Sequence, residues 1–388
     1  MRVESLGLED FRNYRRAQVE FSTGLNLVVG RNAQGKTNLL EAVYCLGGLG
    51  SPRSPDAVVI RNGAERAFLH GGIASGARRV EVDLEMRLGR STRALINKVP
   101  APTNKALTNV MVGVFFGPDE LLLVKGAPDR RRRFLDDLVV KLRPARDGLR
   151  KEFERVLRQR NALLKTSPRR GREGQQFTTL EVWDEALVRT GAAVAAARLE
   201  VLGRLRPHYE RRYAAISGGS AMALRYESSW LEESTSRAVV SGRAGVDESA
   251  VRTSLAEAVD RLHERELERG VSLAGPQRDD IVVDVTGSTN RDEIIEARLF
   301  ASQGEQRTCA LALKLAEYDL ITEALDEEPV LLLDDVFSEL DPVRQEWLGN
   351  AVLATGQTIV SSAQASSVHT AIAGRVIGVS EGRLTVGG

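Results

Sequence analysis

Apolar positions along the chain recur with two different periods, and the dominant period changes twice. Through residue 125 the pattern reads as sheet with one helix. "VESLGLEDF" and "AQVEFS" are strand candidates, and "LNLVV" (Leu25–Val29) is an apolar run that stops at Gly30. In "GKTNLLEAVYCL" the apolar residues Leu39, Leu40, Val43 and Leu46 return at helical spacing. "RRVEVDLEMRL" alternates at Val80, Val82, Leu84, Met86 and Leu88, and a Gly89-Arg90 turn leads into "STRALINK", which predicts a hairpin. "VGVFF" (Val112–Phe116) is a further strand, closed by Gly117-Pro118.

Between Gly126 and Gly275 the residues become Arg, Leu, Glu and Ala in helical order. Helices are expected over "FLDDLVVKLRPARDGLRKEFERVLRQRNALL", over "LEVWDEALVRTGAAVAAARLEVLGRLRPHYERR" and over "ESAVRTSLAEAVDRLHERELERG", the last ending at Gly270. "KTSPRRGREGQQ" reads as a polar loop, and Pro144, Pro168 and Pro207 are expected to interrupt the helices. No heptad series runs unbroken over several repeats, so a long coiled coil is not expected. Strands then return in "DIVVDV", "ARLFA", "PVLLLDD", "QTIVSS" and "GRVIGV". The expected fold is α/β, with one head built from residues 1–125 and 276–388 and a mostly helical second domain inserted at 126–275.

Composition adds limits. The chain has 388 residues, 42% of them hydrophobic, enough for a packed core, and a net charge of +1. That balance excludes a uniformly basic protein but hides a polarity. Arg130–Glu173 carries 16 basic and 6 acidic residues, whereas Asp279–Glu346 carries 5 basic and 18 acidic. The basic helices could meet phosphates or form a solvated arm. Cys45 and Cys309 form no CxxC pair, and the four histidines are scattered, so neither a disulfide framework nor a structural zinc site is expected. The N-terminus lacks an apolar signal region and no run of about 18 apolar residues exists, so a cytoplasmic chain without a membrane partner is expected.

Three stretches carry chemistry. Gly30-Arg31-Asn32-Ala33-Gln34-Gly35-Lys36-Thr37 fits G-x-x-x-x-G-K-[ST], between an apolar strand and an amphipathic helix. Its backbone amides and the helix dipole suit a phosphate chain; Lys36 would bridge the terminal phosphates and Thr37 would place its hydroxyl on Mg²⁺. Val330–Asp335 is an apolar strand ending in two carboxylates, with Asp334 the natural Mg²⁺ partner and Asp335 a general base for an attacking water. Ser302-Gln303-Gly304-Glu305-Gln306 opens a helix; Ser302 and Glu305 fit a capping box, and the same helix start is a second anion site.

Together these stretches resemble the ABC-type ATPases of the SMC class. "LEDFRNYRRAQVEFSTGLNLVVGRNAQGKTNLLEAVYCL" is similar to the class's N-terminal lobe and "LLLDDVFSELD" to its Walker B strand and D-loop, with Asp341 as the D-loop acid. Ser302–Gln306 resembles a degenerate LSGGQ signature. "GPDELLLVKGAPDRRRRFLD", "LAGPQRDDI" and "FASQGEQRT" are similar to motifs of the RecF family of recombination mediators, and nearly the whole chain follows that order. The resemblance implies an ABC-type head with a short arm, which binds ATP through Gly30–Thr37 and Asn38. It also implies Ser302, Gly304, Gln306 and Asp341 at the nucleotide, and an ATP-dependent homodimer that grips single-stranded, gapped or junction DNA. RecR is the implied partner, with RecO in the same pathway, in DNA repair, replication and the SOS response. The chain departs from the class pattern at Gln303, where glycine is usual, and at Asp335, one methylene shorter than glutamate. It lacks a switch histidine after "QTIVSS", where Ser361 or Ser362 stands and His369 lies too far on, and it has no clear Q-loop glutamine. These departures imply slow hydrolysis.

Two other classes compete. A P-loop phosphotransferase for a small molecule would need an acceptor pocket and would not use Ser302. An ATPase-nuclease of the overcoming-lysogenization type would need a second acidic metal cluster. Almost 300 residues separate Lys36 from Asp334, too many for a small kinase or GTPase and too few for a full SMC arm.

Overall fold

The computed structural model describes residues 1–166, 175–219, 222–286, 294–363 and 374–386. The chain divides into two compact units, Met1–Leu121 with Ala310–Gly388, and Leu122–Cys309. The division falls at Cys309 rather than at residue 275, so Asp280–Thr286 belongs to the inserted unit, whereas the strands from Val330 onward lie in the first.

The first unit opens with β1 (Arg2–Phe11), β2 (Tyr14–Glu20), β3 (Leu25–Val29), α1 (Lys36–Cys45) and the single turn α2 (Asp56–Val59). β4 (Arg66–Ser75), β5 (Arg78–Arg87), β6 (Arg93–Ile96), β7 (Val99–Pro100) and β8 (Gly113–Phe116) follow. The second unit contributes α3 (Leu122–Lys125), α4 (Pro128–Leu142), α5 (Gly148–Thr166), α6 (Gln175–Ser217), β9 (Met222–Glu227), α7 (Glu233–Val240), α8 (Glu248–Arg269), β10 (Asp280–Thr286), β11 (Ile294–Glu296) and α9 (Ala297–Phe300). Last come α10 (Gln303–Leu325), β12 (Val330–Asp334), α11 (Pro342–Leu353), β13 (Thr358–Ser362), β14 (Arg375–Ser380) and β15 (Arg383–Val386).

The first unit holds two six-stranded sheets. One is antiparallel, in the order β2-β1-β4-β5-β6-β7, and the expected hairpin over β5 and β6 is part of it. The other runs β15-β14-β3-β13-β12-β8, parallel from β14 through β8. α1 contacts both sheets, and Leu39, Leu40, Ala42, Val43 and Leu46 are each 0% exposed in the core they share. That double burial explains an apolar content that wraps most of the helix. Every residue of β12 is buried, as the unbroken run "VLLLD" requires of an interior parallel strand.

In the second unit α6 packs on α4, α5, α7 and α8, beside the small sheet β11-β10-β9. Three sequence expectations need correction or limitation here. Pro207 lies inside α6, which continues to Ser217. The proline removes one helical hydrogen bond, to the Gly203 carbonyl, and tertiary packing of the flanking turns outweighs that loss. "ARLFA" forms no strand: Ala297–Phe300 make one helical turn, with Leu299 and Phe300 62% and 66% exposed, so no sheet face buries them. Pro168 and His369 lie outside the described residues.

Candidate functional site

Parallel pairing assembles the site. β13 lies between β3 and β12, with Val29 opposite Ser362 and Ser361 opposite Asp334. The chain therefore leaves β3 into the Gly-rich loop beside the carboxyl ends of β12 and β13, the usual ligand edge of a parallel sheet. Gly30 starts that loop because a Cβ there would lie 2.2 Å from the Val379 carbonyl oxygen. Gly35 has φ +117° and caps α1, whose first turn carries no acid to oppose an anion. Ala33 takes φ +64°, a left-handed conformation that costs a non-glycine residue roughly 1–2 kcal/mol.

Lys36 is buried, and its ammonium lies within the curve of the loop, donating to Gly30 O at 2.7 Å and Arg31 O at 3.0 Å. Arg31, Asn32 and Ala33 are exposed on the loop's crest. Thr37 Oγ1 donates to Asp334 Oδ1 at 2.9 Å, and Ser361 Oγ donates to the same oxygen at 2.6 Å. Burial holds the Asp334 carboxyl above the usual carboxylate range, opposed by those two hydrogen bonds and by the charge of Arg53. Asp335 turns at φ +53°, and its amide donates to Ser361 O at 3.2 Å and Ser361 Oγ at 3.0 Å. Ser361 thus ties both acids.

A magnesium ion fits this donor set. Among the described residues no group of three or more His, Cys, Asp or Glu side chains forms a metal cage. One hydroxyl beside one carboxylate suits Mg²⁺, which keeps waters and shares phosphate oxygens rather than taking an all-protein shell.

Other predicted residues have partners within the chain. Asn38 Nδ2 donates to Asn13 Oδ1 at 2.8 Å, so its amide turns to the β1–β2 turn. In the second unit, Ser302 and Glu305 form the reciprocal capping box, Ser302 N to Glu305 Oε2 at 2.8 Å and Glu305 N to Ser302 Oγ at 3.3 Å. Gln306 does not face outward: it is 9% exposed, and its amide nitrogen donates to Ala297 O and Ala301 O, both at 3.2 Å. It braces the bend from which Ser302 and Gly304 project, and the Gly304 carbonyl accepts from Thr308 Oγ1. Asp341 caps α11 through the Arg344 amide at 3.1 Å and pairs with the Arg344 guanidinium at 2.6 Å.

The sequence reading missed a network behind α1. Arg12 makes a two-pronged pair with the fully buried Glu41, at 2.6 and 2.8 Å, and also donates to Ser54. Ser51 donates to the same carboxylate, so the turn carrying Arg53 is tied to α1 from two sides. A buried carboxylate five residues after a P-loop lysine, with an arginine in the preceding hairpin, was the available signal.

A P-loop after β3, a carboxylate-ended β12 beside it and a second Gly-containing helix start define a P-loop ATPase head of the ABC type. The model of the RecF/RecN/SMC N terminal domain family matches residues 2–385. The chain is 40% identical to the DNA replication and repair protein RecF of Streptomyces avermitilis, over 98% of this chain and 99% of that one. It is 40% identical to RecF of Beutenbergia cavernae, over 99% of each. The solved recombination mediator protein RecF–ATPrS of the RecFOR pathway superposes with a TM-score of 0.86 at 26% identity, over 99% of this chain and 98% of that chain. An SMC head bound to the C-winged helix domain of ScpA shares the fold, with a TM-score of 0.53 at 15% identity over 100% and 97% of the two chains. The chain belongs to the RecF/RecN/SMC family and, within it, groups with the RecF proteins of DNA replication and repair. That membership sets aside the phosphotransferase and nuclease readings.

Proposed function

We propose that this chain is an ATP-dependent DNA-binding recombination mediator that hydrolyses ATP slowly and uses hydrolysis to control DNA release. The observation that carries the reading is the Thr37–Asp334–Ser361 junction, which joins the phosphate loop to a carboxylate-ended strand. On this reading the Gly35 and Lys36 amides and the Lys36 ammonium hold the β- and γ-phosphates. Mg²⁺ would sit at the Thr37 hydroxyl, with Asp334 directly or through water, and would neutralise charge developing between the phosphates. Asp335 orients and deprotonates the attacking water. Its short side chain and the serine at the position of a switch histidine favour slow turnover.

Ser302 and the amides near Gly304 would contact the γ-phosphate of a second copy, making the ATP-bound form a homodimer. The RecFOR pathway named for the solved relative supports RecR as partner, with RecO acting alongside. The test is an ATPase assay of the full chain with no DNA and with single-stranded, gapped and duplex DNA. Turnover that rises with DNA supports the reading; a rate indifferent to every DNA form removes DNA control of hydrolysis.

A further inference from the structure

A phosphate-binding loop works best when its amide hydrogens aim inward before the anion arrives, because binding then orders less of the chain. Two consecutive carbonyls of this loop are anchored from outside. Gln34 O accepts from Asn13 Nδ2 at 2.9 Å and from the Gly382 amide at 3.3 Å. Gly35 O accepts from the Tyr14 hydroxyl at 2.9 Å and from the Leu39 amide at 3.0 Å. A trans peptide holds its C=O and the following N–H on opposite sides of the bond. Holding these oxygens outward therefore turns the Gly35 and Lys36 amide hydrogens inward.

The anchors are themselves fixed. Asn13 uses both ends of its amide, donating to Gln34 and accepting from Asn38. Burial pushes the Tyr14 phenol far above its ordinary range, so it remains a donor at every physiological pH. The Gln34 side chain is held as well, its Oε1 accepting the Glu381 amide at 2.7 Å. Glu381 and Gly382 form the β14–β15 turn, at φ +49° and +72°. A Cβ on Gly382 would lie 2.7 Å from Asn13 O, so glycine alone permits this close approach.

We propose that Asn13, Tyr14 and the Glu381–Gly382 turn of the C-terminal hairpin are positioning residues for the polyphosphate of a nucleoside di- or triphosphate. They set the aim of the Gly35 and Lys36 amides toward the β-phosphate. The inference rests on the ATP-binding reading and adds to it a remote hairpin whose sequence resembles no nucleotide motif.

The experiment measures ADP affinity, with Mg²⁺, and AMP affinity by calorimetry on the full chain and on Tyr14→Phe, Asn13→Ala and Gly382→Ala. Loss of one anchor should weaken ADP roughly five- to tenfold while leaving AMP, which has no β-phosphate, nearly unchanged. Partial unfolding would reduce the binding-competent fraction for both nucleotides equally, so the ADP-to-AMP ratio separates positioning from simple destabilisation. A parent chain that binds neither nucleotide removes the ATP-binding reading itself. A parent that binds ADP, with all three variants keeping its ratio, overturns only the positioning role.

Discussion

Thr37 Oγ1 donates to Asp334 Oδ1 at 2.9 Å although the two residues stand 297 positions apart in the chain. The bond exists because β3 and β12 flank β13 in parallel, which brings both carboxyl ends to one sheet edge. It joins the two halves of the proposed site before any ligand is bound. Thr37 approaches a carboxylate that burial disfavours in its charged form, so a cation there gains more than at an exposed acid.

Lys36 and Asp335 should separate binding from turnover. Lys36→Ala removes the ammonium inside the loop, and ATP affinity should fall at least tenfold. Asp335→Asn keeps the Asp335 backbone anchored to Ser361 and should keep ATP affinity, while single-turnover hydrolysis drops by about 10²–10⁴. Hydrolysis at the parent rate in Asp335→Asn would remove the general-base role.

The difference between these residues and Ser361 shows how much the sequence carries. The P-loop, the β12 acids and the Ser302–Glu305 cap are local patterns, and a local pattern needs only a window of a few residues. Ser361 acquires its part from strand pairing, which no window contains. Arg131 shows how packing decides between readings that composition leaves open. It belongs to the basic stretch that could meet phosphates or form a solvated arm, and it does neither: it is 4% exposed, pairs two-pronged with Asp280 at 2.7 Å and donates to Gly126 O. Arg132 donates to Asp279 O and Arg150 pairs with Glu154, so much of the basic stretch is spent inside the unit. The motifs "GAPDRRRRFLD" and "GPQRDD" therefore interlock, an arrangement visible only once α4 and β10 are packed.

That packing redirects the DNA expectation to α5. Lys151, Arg155, Arg158 and Lys165 are exposed at spacings of four, three and seven residues, one face of the helix. Replacing all four with glutamine should weaken DNA binding and flatten its dependence on salt by about 0.7–0.9 log unit for each phosphate no longer neutralised. Thermal stability should change little. Arg131→Ala, which strands the Asp280 carboxylate, should cost about 3–5 kcal/mol in unfolding titrations. A parent-like salt slope in the α5 variant would leave the face as a solvated arm.

Asp279 gives the second unit a pH dependence. Burial pushes its carboxyl up to about 6, although Tyr226 and Trp230 donate to it at 2.6 and 2.8 Å and Arg198 lies near. A carboxyl with a folded value above its unfolded one stabilises the fold when protonated. Its contribution is complete below about pH 4 and is lost as pH rises through about 6, a change on the order of 3 kcal/mol. Asp279→Asn should flatten this part of the stability curve between pH 4 and 7, measured by denaturant unfolding at each pH. An unchanged curve would move the titration to another group.

The ATP-bound form should be a dimer with composite sites. Ser302 is exposed at the start of α10, where it shares the capping box with Glu305, and Gln306 ties the preceding bend to the helix. If it meets the γ-phosphate held by another copy's Lys36 and Thr37, ATP binding favours association and ADP does not. The mass from light scattering should double with ATP and stay monomeric with ADP. Ser302→Arg should block the increase while leaving ATP affinity of the monomer nearly unchanged. Loss of the cap costs it about 1 kcal/mol of stability, which Ser302→Asn should largely restore without restoring full assembly. Mixing Lys36→Ala chains with Ser302→Arg chains is the sharper measurement. A mixed dimer places both lesions in one composite site and leaves the other intact, so part of the hydrolysis should return. A chain that stays monomeric at full ATPase activity would exclude the composite site, because each P-loop would then be turning over alone.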